Sequence, residues 1–144
     1  MNGSEPFYKA FRGNFSSILS WQQLDEFWGV VRDKADAGWY IYAIGTPVPT
    51  QTSSTENVVK FVNEVGALLR KEHYEDYCGI VYTDSKQDPA LVKIFDPDNL
   101  GVSCGFSNNP PLPGWVLSLV PPQPLDTKRP LPAGRLRWWQ SLWP

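Results

Sequence analysis

Tyr77-Cys78-Gly79-Ile80-Val81-Tyr82-Thr83, Asp84-Ser85-Lys86-Gln87-Asp88-Pro89-Ala90, Leu91-Val92-Lys93-Ile94-Phe95: two short runs of β-branched and aromatic residues enclose a stretch of turn formers, and Asp96-Pro97 closes the second run. Such runs read as strands and the segment between them as their turn, so the stretch predicts an antiparallel hairpin. Centred near Gln87, the hairpin pairs Tyr82 with Val92, Ile80 with Ile94 and Cys78 with Asp96 on the core face. Val81 and Phe95 then point to the opposite face.

Two helical patterns lie upstream. Trp21, Leu24, Trp28 and Val31 recur at helical spacing, widened by Phe27 and Val30. Ser20 and Gln23 form a capping-box pair at the start, and Ala37-Gly38 stops the helix. A second stripe of Val58, Phe61, Val62, Val65, Leu68 and Leu69 predicts a helix from Thr55 to about Glu72, capped by Ser54 or Thr55. Between the helices, Trp39 to Gly45 has strand composition. Downstream, residues 98–114 read as a long loop, Trp115 to Val120 as a further strand, and the chain from Pro121 as proline-rich and extended. Residues 1–19 show no clear periodicity and read as an irregular lead-in.

The predicted fold is therefore α+β: a single domain with a three- to four-stranded, mostly antiparallel but mixed sheet and two helices, in the order α-β-α-β-β-β. The first β-α-β unit implies a right-handed crossover. Two helices on one face leave the other face open. A C-terminal arm is the nearest segment to cover it, and a second copy of the chain is the alternative cover.

Length and composition agree with this reading. A chain of 144 residues, 42% hydrophobic and 19% charged, suits one globular domain with a core of useful size. The predicted division is a compact unit over 1–126 and a basic, Trp-rich arm over 127–144. The arm contributes +4 and the rest −6 to the net charge of −2. An acidic body argues against general nucleic-acid binding by the whole domain. Two cysteines are too few for a secreted disulfide scaffold, the N-terminus lacks the apolar run of a signal peptide, and the simplest expectation is a cytoplasmic protein.

The arm, Lys128 to Pro144, holds four of the thirteen basic residues and three of the seven tryptophans. Trp and Arg dominate interface energetics, so the leading functional expectation is a non-enzymatic binding or accessory protein that docks a partner protein. Trp138, Trp139 and Trp143 are its expected anchors, and Arg135 and Arg137 pair with acids on that partner. The arm packing on its own domain is the bland alternative, with the arginines meeting the acidic body. Nucleic-acid or membrane-surface binding by the tail is a further one.

A second class of function is a thiol-dependent enzyme or redox protein. Cys78 is its nucleophile and His73 and Asp96 are its neighbours at one end of the sheet. Nearby carboxylates oppose thiolate formation, and no oxyanion-hole motif adjoins the set. One histidine and two cysteines do not make a zinc ligand set. Asp96-Pro-Asp98-Asn-Leu-Gly101 departs too far from a calcium loop, Gly101-Val-Ser-Cys-Gly105 lacks the spacing and lysine of a phosphate loop, and no cofactor is expected.

Overall fold

The computed structural model describes residues 5–73, 78–97, 112–125 and 133–143. The order is α1 (Glu5–Phe11), β1 (Ser16–Ser17), α2 (Trp21–Asp33), β2 (Tyr40–Ala43), α3 (Thr55–Glu72), β3 (Val81–Thr83), β4 (Leu91–Ile94), β5 (Trp115–Ser118) and α4 (Ala133–Leu142). The strands form one five-stranded sheet in the order β1-β3-β4-β5-β2, and every neighbouring pair is antiparallel.

The two helices with clear periodicity begin as their residues dictate. Ser20 caps α2: its hydroxyl accepts from the Gln23 amide at 3.0 Å, and the Gln23 side chain accepts from the Ser20 amide at 3.4 Å. Those two bonds satisfy amides that the first helical turn leaves without partners. Ser54 caps α3 by accepting from the Asn57 amide. Leu24, Phe27, Trp28 and Val31 of α2 and the six apolar residues of the α3 stripe are buried against one sheet face, which carries Val81, Val92, Ile94, Trp115, Leu117, Ile41 and Ala43. Gly66 lets the two helices approach: a Cβ there would lie 3.3 Å from the Trp28 indole nitrogen.

Four sequence expectations need correction. The first concerns the sheet, which is not mixed. β2 pairs with β5, not with β3, so α3 makes no parallel crossover. Second, the hairpin register is one residue away from the expected one: Val81 faces Ile94, Tyr82 faces Lys93 and Thr83 faces Val92. The turn sets this register. Asp84 Oδ1 accepts from the amides of both Ala90 and Leu91, and the Asp84 amide donates to Leu91 O. A one-residue slip exchanges the faces of a strand, so Val81 is core and Tyr82 lies on the opposite face. Gly79, at φ 68, breaks the alternation ahead of β3, and Cys78, Ile80 and Val81 are all buried under the helices.

Third, the lead-in is structured. It supplies α1 and the edge strand β1, and the pairing continues through Ile18 N to Val81 O at 2.8 Å and Cys78 N to Leu19 O at 2.8 Å. Fourth, the sheet face opposite α2 and α3 is not open. Phe7 of α1 packs with Tyr42, Ile44, Leu91 and Val116, flanked by Tyr8, Phe11, Phe15 and Leu125. Tyr42 Oη accepts from the Leu125 amide and Tyr8 Oη donates to Pro124 O, which ties the proline-rich segment down over that face. The face expected to be covered by the C-terminal arm, or else by a second copy, is thus covered by α1 and residues 120–125, while α4 of the arm lies on the other side, beside α3. No helix among the described residues is long and apolar enough to cross a membrane.

Candidate functional site

The chain from Pro121 was expected to be extended, but Ala133–Leu142 forms the helix α4, a correction to the two-helix reading, and its residues meet α3, the end of β4 and the start of β5. The Trp138 ring stands edge-on to Trp115 at 5.4 Å between centroids, and the Trp139 ring stands edge-on to Phe61 of α3 at 6.1 Å and to Trp143 at 5.3 Å. Edge-to-face pairs at these separations add about 0.5–1.5 kcal/mol each beyond the area they bury. Leu142 is 4% exposed and joins the core, whereas Trp138, Trp139 and Trp143 are half-buried and Arg137 is exposed.

Arg135 does not reach outward. It is 8% exposed and grips Asp96 with two bonds, Nε to Oδ2 at 2.7 Å and Nη2 to Oδ1 at 3.0 Å. The expectation that Arg135 meets an acid on a partner is corrected: two of its acids are in its own domain. Its second acid is Glu72, with Nη2 2.6 Å from Oε2. That contact brings a second carboxylate to the guanidinium at ion-pair distance. The paired hydrogen bonds to Asp96 are the main reason the guanidinium holds its proton far above the ordinary arginine value. Burial works against them, and Glu72 adds to them.

Several elements converge to build this seat. Ile94 ends β4 and hands the chain to Asp96, while Gly114 leads into β5 directly against it. A Cβ on Gly114 would come within 3.2 Å of the Asp96 Cβ. The Gly114 amide donates to Ile94 O at 2.8 Å and its carbonyl accepts from Ile44 N at 3.0 Å, which fixes Trp115 beneath Trp138. Glu72, Trp115, Phe61 and Gly114 were not among the expected site residues. Glu72 carries one legible signal: an acid in the last turn of a helix opposes the helix dipole and calls for a nearby cation.

The three groups of the thiol reading do gather at this end of the sheet, each already engaged. His73 Nε2 lies 2.8 Å from the carbonyl oxygen of Cys78. A carbonyl only accepts, so this nitrogen carries the proton and is turned to the backbone. Cys78 is fully buried, and burial pushes its thiol up from the ordinary value, opposed in smaller measure by hydrogen bonds to the Ile80 and Val81 backbone and by the charge of Arg70. Asp96 is held by Arg135. Residues 74–77 and 98–111, including Cys104, the flanking acids Glu75 and Asp76 and most of the candidate calcium, phosphate and polyproline loops, lie outside the described residues, as do residue 126 and residues 127–132 and 144 of the arm.

No protein-family model matches the chain, and no curated protein and no solved structure is significantly similar to it.

Proposed function

We propose that the chain is a non-enzymatic cytoplasmic binding protein that docks a partner protein on the outer surface of α4. The supporting observation is the posture of the helix: Arg135 and Leu142 anchor it from below, while Trp138, Trp139 and Trp143 stay half-buried beside the exposed Arg137. Side chains already fixed by packing lose little conformational entropy on binding. Half-exposed tryptophans beside an arginine are the residue types that carry most interface energy. The arm thus works as a rigid surface seated on the domain, and the partner contributes an apolar contact for Trp139 and Trp143 and an acid for Arg137. The buried thiol and the backbone-bonded histidine favour this reading over thiol catalysis.

The test is affinity capture with the tagged full-length chain, followed by a titration of the purified partner against the wild type and Arg137→Glu. Because Arg137 is exposed, the variant keeps its fold, which circular dichroism checks. Binding at least tenfold weaker supports the proposal, and unchanged affinity rejects it.

A further inference from the structure

A cleft of about 200 Å³ opens between the outer ridges of α2 and α3. Two side-chain bridges cross it. Asp25 meets Arg70 at 2.7 Å at one end, and Arg32 Nη1 donates to Asn63 Oδ1 at 3.1 Å at the other. Residue numbers rise along α2 as they fall along α3, so the helices are antiparallel, and Trp28 and Gly66 lie midway between the bridges. Trp28 is 3% exposed, and its indole nitrogen is buried with no hydrogen-bond partner among the described residues. A buried N–H left unpaired costs free energy, so native donors find acceptors. Trp39 does so by donating to Lys34 O at 2.9 Å. Trp115, the other buried indole without an acceptor among those residues, sits beneath the Trp138 ring, whereas Trp28 borders the cleft. A Cβ on Gly66 would come within 3.3 Å of the Trp28 nitrogen, so the missing side chain leaves room beside that donor.

The charges of the cleft do not balance. Arg70 is held twice, by Asp25 and over the Trp21 ring at 5.0 Å. Arg32 meets no carboxylate at ion-pair distance among the described residues, and Asn63 gives it only a neutral acceptor. One positive charge is therefore left over, on the same face of α2 as the unpaired N–H and one turn further on. Leu24 and Val62 add apolar wall. We propose that this cleft binds a small monocarboxylate with a short apolar body, its charge paired with Arg32 and one oxygen accepting the Trp28 N–H. An ionised acceptor makes a stronger bond to the indole than water does. The volume lies below the about 300–1,000 Å³ of drug-sized sites, which limits the ligand to the size of a fragment such as benzoate. Asp25 at the far end repels a second negative charge, so a phosphate dianion suits the cleft poorly. Both bridges join exposed side chains and are weakly held, so they part to let the oxygen reach the floor. The cleft shares no residue with the α4 surface, and its test is independent of the partner proposed there.

The test titrates the full-length ¹⁵N-labelled chain with acetate, butyrate and benzoate at pH 7. The readout is the indole resonance of Trp28, assigned through its contacts to Gly66. Benzamide and inorganic phosphate are the comparison ligands. The expected result is a saturable downfield shift of the indole proton with butyrate or benzoate, at a Kd on the order of 1 mM. Arg32→Gln, a change at an exposed position, should weaken binding about tenfold. Gly66→Ala should abolish it without lowering the melting temperature, because alanine is the better helix former. No saturable shift with any of the three carboxylates overturns the proposal. So does a shift that survives Gly66→Ala, or an affinity that Arg32→Gln leaves unchanged. An equal response to benzamide or to phosphate overturns the assignment to a monocarboxylate.

Discussion

Replacing Arg135 by Met removes the charge that joins α4 to the domain while keeping most of the bulk of the side chain. Arg135 and Asp96 have side-chain exposures of 9% and 10%, and their two hydrogen bonds measure 2.7 and 3.0 Å. The variant leaves the Asp96 carboxylate buried without its guanidinium, with Glu72 a like charge close by. Breaking a buried pair in this way costs about 3–5 kcal/mol, most of it the stranded charge and not the lost attraction. A small domain has only about 5–15 kcal/mol in total, so the variant should unfold at much lower urea. Asp96→Asn on top of Arg135→Met removes the stranded charge and should return part of the loss. Urea unfolding at pH 7 and 25 °C of the wild type, both single variants and the double variant reads the cycle directly. Arg135→Met within about 1 kcal/mol of the wild type, or a double variant as unstable as the sum of the singles, would refute the reasoning, because the pair would then be a solvated contact and α4 would be held by its aromatic side alone.

The remaining expectations follow from the same contacts. Leu142→Ala should cost about 2–5 kcal/mol, as for other buried leucines, and deleting residues 133–144 should destabilise the domain further, both read by thermal or urea unfolding. Cys78 should react with a thiol reagent only on unfolding, so its labelling rate should track denaturant concentration, and rapid labelling of the folded chain at neutral pH would revive the thiol reading. Lys93 titrates lower in the folded state, at about 8, than in the unfolded chain. The unfolded state then binds the extra proton between pH 8 and about 10.5, and stability gains from this residue as pH rises through that window. Relative to Lys93→Met, the wild type should gain about 1 kcal/mol across it once solvent screening of the half-exposed amine is counted, a difference that paired urea titrations at pH 7.5 and 10.5 would measure.

Helices α2 and α3 were legible because local signals agree: a reciprocal cap at Ser20 and Gln23, a Ser54 cap, and apolar stripes at helical spacing. Strand composition located β2, β3, β4 and β5. The pairing of strands was not local information. The register turned on one side-chain oxygen, Asp84 Oδ1, and on Gly79 taking a positive φ, and neither can be read from alternation. The short α1 escaped because seven residues give too little periodicity, and its helix rests on Phe7 packing against the sheet. In the arm, the residue types that matter were visible, but their direction was not. Arg135 finds Asp96 at a separation of 39 residues, and nothing near either residue in sequence announces the other. Glu72 at the C-terminal end of α3 was the one available hint.

Helix α4 is seated on its own domain and its tryptophans are held by ring contacts. The most direct measurement is indole ¹⁵N relaxation at Trp138, Trp139 and Trp143, together with nuclear Overhauser contacts from their rings, in the isolated full-length protein. Order parameters near 0.85, with contacts from Trp138 to Trp115 and from Trp139 to Phe61, are the predicted result. Order parameters below about 0.6 with neither contact would contradict it, and would mean a free arm that meets its partner before it meets the domain.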